Sequence, residues 1–89
     1  MTKPDATRVG MAWQDPTMLQ IGKAGLNERV IAEAKRLLKR HEYIKVRLLR
    51  SALDMGPKKE IFVNLCSKTK AQLIGIRGNT AVIFRPRKR

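Results

Sequence analysis

Between Asn27 and Arg40 the apolar residues Val30, Ile31, Ala34, Leu37 and Leu38 recur at the spacing of one helix face, and immediately afterwards the period changes. In Tyr43-Ile44-Lys45-Val46-Arg47-Leu48-Leu49 apolar and basic residues alternate: Ile44, Val46 and Leu48 fall on one side, Lys45 and Arg47 on the other. That is the pattern of a half-buried strand with a basic open side. An amphipathic helix running into such a strand must bury its stripe against the strand's apolar side, which restricts the chain to a layered α/β arrangement. Asn27 caps the helix, and a short apolar strand, residues 17–21, precedes it. Strand, helix and strand in that order predict a right-handed parallel crossover.

The pattern then repeats with a variation. Residues 51–56 read as a loop, and Pro57 suits the first turn of a second helix through about Lys70 that buries Ile61, Phe62, Leu65 and Cys66. Residues 72–76 and 81–85 are two further strands, joined through Arg77-Gly78-Asn79-Thr80, a tight turn by its Gly-Asn pair. The predicted order is β-α-β-α-β-β, a four-stranded mixed sheet ending in an antiparallel hairpin. Residues 1–16 carry Pro4 and Pro16 and no sustained period, so they read as an irregular N-terminal arm with at most one helical turn around residues 7–13. The domain proper is then 17–86, followed by a basic tail at 87–89. With 89 residues the chain makes one domain with a modest core.

Charge narrows the partner. Twenty Lys and Arg against seven Asp and Glu give a formal net charge of +13, while 43% hydrophobic residues keep the chain globular. A folded surface with that excess fits a polyanion, through electrostatics that need no sequence specificity. A single cysteine, Cys66, excludes an internal disulfide and any multi-cysteine zinc site, and His41 is the one histidine. No metal site, cofactor or small-molecule substrate is expected. The sequence shows no membrane-length apolar run and no signal-peptide core, and the expected location is the cytoplasm. His41 and Glu42 invite comparison with a general acid-base pair. Neighbours at a helix-to-strand junction point apart, however, and no nucleophile, second carboxylate or metal set accompanies them. Better placed as a helix-terminal donor, His41 would serve the last carbonyls, and the chain is read as a non-enzyme.

The tetrapeptide Gly22-Lys23-Ala24-Gly25 stands between the first strand and the first helix. It is either an ordinary tight turn or a phosphate-binding loop of the G-x-x-G kind, with glycines that let an anion approach backbone amides, a lysine inside, and a helix N-terminus behind. Its setting and the overall charge favour the second reading. The triphosphate-binding pattern G-x-x-x-x-G-K-[ST] is absent. A second match, Gly75-Ile76-Arg77-Gly78, falls where the hairpin turns and is expected to be structural, with Arg77 still within reach of a phosphate. Lys45 and Arg47, with Arg85, are expected to form a cationic stripe across the sheet, or else to be solvated strand residues that oppose aggregation. Arg29, Lys35, Arg36, Lys39 and Arg40 give the first helix a cationic side. Aromatic residues are few; Phe62 and Phe84 are expected in the core, and Trp13 is expected as a lid on it or, as the alternative, a surface on which a base stacks. That scarcity argues against base stacking across the sheet.

Three blocks carry a family resemblance: Ile21-Gly22-Lys23-Ala24-Gly25-Leu26-Asn27 with Val30-Ile31, then His41-Glu42-Tyr43-Ile44-Lys45-Val46-Arg47, then Gly78-Asn79-Thr80-Ala81-Val82-Ile83-Phe84-Arg85-Pro86. Over about residues 17–86 the chain resembles the CRM domain (chloroplast RNA splicing and ribosome maturation), especially its single-domain YhbY-like form. The resemblance implies an RNA-binding domain with a fold similar to the C-terminal domain of translation initiation factor three. It implies association with ribosomal RNA in precursors of the large subunit, with residues 22–25 as the exposed loop. The family opens with a longer basic helix before its first strand, where residues 1–16 here are short and interrupted by proline. The rival readings are a double-stranded DNA architectural binder, a permanent ribosomal protein, and a nuclease using His41 and Glu42.

Overall fold

The computed structural model describes residues 4–86, with the backbone alone at positions 54 and 55; the basic tail at 87–89 lies outside the described residues. The elements are α1 (Ala6–Gln14), β1 (Leu19–Ile21), α2 (Glu28–Arg40), β2 (Tyr43–Leu48), a 3-10 segment (Arg50–Met55), α3 (Lys58–Thr69), β3 (Gln72–Arg77) and β4 (Thr80–Phe84). The four strands form one mixed sheet in the spatial order β1-β2-β4-β3. β1 and β2 are parallel, with Ile21 opposite Leu48, whereas β4 runs antiparallel to both β2 and β3. β3 therefore points the same way as β2 with β4 between them.

Local chemistry sets the ends of α2. Asn27 Oδ1 accepts from the Val30 amide at 2.9 Å, Glu28 occupies the first turn, and Lys39 and Arg40 the last. Both charge sets complement the helix dipole. The His41 backbone amide closes the other end on the Leu37 carbonyl at 2.8 Å, so the capping expected of His41 is done by its main chain. α3 has no side-chain cap at its start, where Pro57 stands before the first helical residue. It ends on Lys70 in the left-handed region, φ 57°, with the Ala71 amide reaching back to the Cys66 carbonyl at 2.9 Å.

α2 and α3 cover one side of the sheet. Ala34 and Leu38 from α2 and Phe62, Leu65 and Cys66 from α3 are buried against Ile21, Ile44, Val46, Leu48 and Ile83. Thr69, buried among them, donates from Oγ1 to the Leu65 carbonyl at 2.8 Å. In the hairpin Gly78 alone of the two central residues has positive φ, 60°, the pattern of a type II′ turn. A register irregularity between Leu73 and Gly75 lets Ile74 join the packing on the opposite side.

That opposite side is where the structure departs from the sequence reading. Residues 6–14 are a helix, not an irregular arm with one turn, and α1 lies on the side of the sheet expected to be open. Val9, Ala12 and Trp13, spaced i, i+3 and i+4, pack with Tyr43, Val82, Phe84 and Ile74 in a second apolar cluster. Pro4 and Pro16 bound the helix rather than break it, and Asp5 caps it by accepting the Thr7 amide at 3.2 Å. Nine residues are too few to hold helix alone, where about 12–15 are needed. Burial against the Tyr43–Phe84 pair, stacked at 4.6 Å between centroids, supplies what propensity lacks. Three more contacts fix α1: the Asp5 amide donates to the Tyr43 hydroxyl at 2.7 Å, Arg8 pairs with Glu42 at 2.8 Å, and the Arg8 guanidinium lies 4.8 Å from the Tyr43 ring centroid.

Candidate functional site

The tetrapeptide after β1 is a closed turn. The Gly25 amide donates to the Gly22 carbonyl at 2.9 Å, and Gly25 sits at φ 67° while neither Lys23 nor Ala24 has positive φ. The chain thus bends in right-handed geometry at Lys23 and Ala24, and Gly25 then re-aims it into Asn27 and α2. Only Gly25 needs to be glycine for its own conformation. A Cβ added at Gly22 would meet Leu49 Cδ1 at 3.5 Å and Ser51 Oγ at 3.7 Å, ordinary contacts. Lys23 and Ala24 are exposed, and their amides have no acceptor among the described residues. The start of α2 already has Asn27 on one amide and Glu28 beside it, so the turn's own amides and the Lys23 ammonium are what it offers an anion.

Around this turn the topology gathers further cations. Leu49 and Ser51 lie against Gly22, which brings exposed Arg50 to the same end of the sheet. The Leu48 amide donates to the Asn79 carbonyl at 2.7 Å, and Lys58 Nζ to the Gly78 carbonyl at 2.7 Å, so the hairpin tip and the start of α3 arrive there too. On the side of the sheet that carries α1, one row crosses all four strands: Gln20 beside Arg47, Arg47 beside Thr80, Thr80 beside Arg77. Arg47 and Arg77 are both exposed, and the Arg77 guanidinium stacks over the Trp13 ring, 4.5 Å from its centroid. Trp13 is half-buried, a lid on the second cluster as expected, and one of its ring carbons would lie 3.6 Å from a Cβ at Gly75. Gly75-Ile76-Arg77-Gly78 spans β3 and its turn and precedes no helix.

The other candidates divide. Lys45 does not face solvent freely: its Nζ donates to the Trp13 carbonyl at 2.7 Å and the Asp15 carbonyl at 3.1 Å, closing the C-terminal end of α1. Arg85 follows β4 at the far end, where its amide donates to the Glu42 carbonyl at 2.9 Å. Phe84 is paired with Tyr43 and Arg47 with Thr80, so Arg85 stands more than a dozen ångströms along the sheet from the row, at about 3.3 Å per residue. A single stripe through Lys45, Arg47 and Arg85 is therefore absent among the described residues. On α2, helical geometry turns Lys35 away from Arg29 and Arg36, with Lys39 between the two sets. Arg36 grips Glu33 through two hydrogen bonds, at 3.0 and 2.6 Å, which raises its own pKa and lowers that of Glu33. Arg29 is exposed on that same stripe.

Lys35 instead lines a groove of about 480 Å³ between α2 and α3, with Lys68 on the other wall. Deeper along the same side, a cavity of about 230 Å³ opens between Gly25, Leu26, Ala52, Ile61, Asn64 and Lys68. Asn64 and Lys68 escaped the sequence reading because only the packing of α3 beside α2 brings them to the 22–25 turn. Lys68, among the lysines at the end of α3, had some signal in the sequence, and Asn64 had none. His41 is exposed while the Glu42 carboxylate is held by Arg8, and among the described residues no group of three His, Cys, Asp or Glu is placed to hold a metal ion. Cys66 is buried, and burial pushes its thiol up to about 11. No helix is long and apolar enough to cross a membrane among the described residues.

Comparison with known proteins agrees with this architecture. The model of the CRS1 / YhbY (CRM) domain matches residues 6–85, so α1 falls within the matched region. A probable RNA-binding protein of Methanocaldococcus jannaschii is 37% identical over 67 residues, covering 75% of this chain and 49% of its own length. A probable RNA-binding protein of Pseudomonas aeruginosa is 32% identical over 68 residues, covering 76% of this chain and 64% of its own. This chain thus spans half to two thirds of those two relatives. An RNA-binding protein of Haemophilus influenzae is 32% identical over 85 residues, 96% of this chain and 84% of the relative. Among solved structures, that of a hypothetical Staphylococcus aureus protein, described as a candidate RNA binder, superposes with a TM-score of 0.75 at 33% identity, covering 91% of this chain and 82% of the other.

Proposed function

The chain belongs to the CRS1 / YhbY (CRM) domain family, and from that premise we propose that it binds structured RNA through the 22–25 turn and the cations gathered round it. The observation that carries the reading is the convergence of that turn, with its two amides lacking acceptors among the described residues, and Lys23, Arg47, Arg50 and Arg77 at one end of the sheet. Relatives named as RNA-binding proteins supply the class of polyanion. Backbone amides and cations grip phosphate, which positions the protein; RNA shape rather than base edges then supplies most of the selectivity. Arg29 and Lys35 add contacts from the two sides of α2. No reaction is assigned, since the His41–Glu42 pair is split between solvent and Arg8.

Within RNA, we assign the protein to large-subunit ribosomal RNA during assembly, as a cytoplasmic factor that leaves the finished subunit. A charge of +13 suits a highly folded, densely charged RNA, and a grip made mainly of phosphate contacts is readily released. Equilibrium binding to transcripts of large-subunit ribosomal RNA, with duplex DNA as competitor at matched salt, tests the proposal. Lys23→Glu and Gly25→Asp proteins, shown by circular dichroism to be folded, should bind at least several-fold more weakly. Unchanged affinity in both, or displacement of RNA by equimolar DNA, sinks it. Stoichiometric retention on mature subunits after a high-salt wash would make the protein a permanent component instead.

A further inference from the structure

We infer that the cavity beside Gly25 receives one unpaired nucleobase of the strand whose phosphate rests on the 22–25 turn. This rests on the phosphate-binding reading of that turn and adds to it a contact with a base. Ile21, Leu26, Ala52 and Ile61 give the cavity apolar walls, and Asn64 and Lys68 are its polar lining residues. A nucleobase has the matching character, with apolar faces and a hydrogen-bonding edge. The Asn64 amide presents both a donor and an acceptor to such an edge, while Lys68 can only donate.

The surroundings favour a nucleotide over an apolar peptide or a lipid. Leu26 and Lys68 are shared with the neighbouring groove, where Lys35 stands opposite and Glu28 is the one acid, so a strand leaving the cavity meets two lysines and a single carboxylate. Gly25 also lines the cavity, and the turn it closes carries Lys23. With Lys23, Lys35 and Lys68 against Glu28 alone, the surroundings carry a net positive charge that suits the backbone phosphates flanking a buried base better than a neutral segment. A base stacked inside a duplex cannot enter, so the occupant comes from a loop, bulge or single strand.

Fluorescence anisotropy with two hairpin RNAs, identical except that one has abasic loop nucleotides, tests this. The wild-type protein is expected to bind the intact loop roughly tenfold more tightly, the gain from burying one base face against aliphatic walls. Asn64→Trp, an exposed position on α3, should bring the intact hairpin to the abasic affinity and leave the abasic one unchanged. Equal binding of both hairpins by the wild type, or full discrimination by Asn64→Trp, overturns the inference. Lys23→Glu separates the two claims: it should weaken both hairpins alike, and if it weakens neither, the phosphate-binding reading of the turn fails whatever the base preference.

Discussion

Lys45 on β2 donates to the Trp13 carbonyl at 2.7 Å, so a strand residue that alternation marks as solvent-facing closes the C-terminal end of a helix 32 positions earlier. The last carbonyls of a helix have no partners within it, and a cation there is favoured by the dipole as well. Lys45→Met keeps the aliphatic stem and removes the ammonium. It is expected to cost about 1–2 kcal/mol. Thermal unfolding monitored by far-ultraviolet dichroism would show the loss.

The same residue separates structural from binding cations. Arg47→Ala should weaken RNA binding uniformly across sequences and reduce the slope of log affinity against log salt by about 1. Lys45→Met should leave that slope unchanged, because its ammonium is held by α1. Titrations at four salt concentrations distinguish the two; equal slope changes would show that Lys45 also meets phosphate.

Gly25 and Gly22 are expected to respond differently to alanine. At φ 67° Gly25 occupies the left-handed region, where a Cβ costs roughly 1–2 kcal/mol. Gly22 has neither positive φ nor a close contact at a Cβ position, so Gly22→Ala should stay within about 0.5 kcal/mol of the parent. Urea denaturation of both proteins provides the comparison.

Lys70 offers the reverse case. It ends α3 at φ 57°, a conformation that glycine adopts without strain. Lys70→Gly should raise stability by about 0.5–1 kcal/mol, the relief of strain being partly offset by glycine's larger entropy in the unfolded chain. A urea midpoint no higher than the parent's would contradict it.

For Cys66 the expected signature is in pH. Burial raises the folded-state thiol from its ordinary 9.0 to about 11, so the unfolded chain releases that proton first. The folded state holds more protons between those values, and the contribution of Cys66 to stability falls as pH rises from about 9 to about 11. Cys66→Ala should lose stability less steeply across that window. At pH 8 the native thiol should resist a disulfide reagent that labels the unfolded protein at once.

How far the chain could be read in advance depended on whether the deciding contacts were local. The stripe of α2, its Asn27 cap, the alternation in β2 and the Gly78 turn are all set by residues within a few positions of one another, and each is present in the structure. α1 was hidden because its apolar stripe is only Val9, Ala12 and Trp13, and its partners Tyr43, Val82 and Phe84 lie far along the chain. Lys45 was misjudged for the same reason: alternation tells which side of a strand a residue takes, not what else packs on that side. At the candidate site, Gly22-Lys23-Ala24-Gly25 was visible as a motif. Arg50, Lys58, Asn64 and Lys68 join it only through tertiary packing.

The central place of β4 sets the order in which this protein can be completed. Hydrogen bonding from β2 reaches β3 only through Thr80–Phe84, so during synthesis the crossover of α3 must wait with β3 unpaired until that last strand has been made. The β1-α2-β2 unit, with the 22–25 turn, emerges early and, besides the outer edge of β1, carries in the interval the bare edge of β2 that β4 will fill. Closure is thus a late event joining residues up to 41 positions apart, such as Tyr43 and Phe84, and a chain stalled before Thr80 would expose to its neighbours the edges of β2 and β3 that β4 otherwise fills.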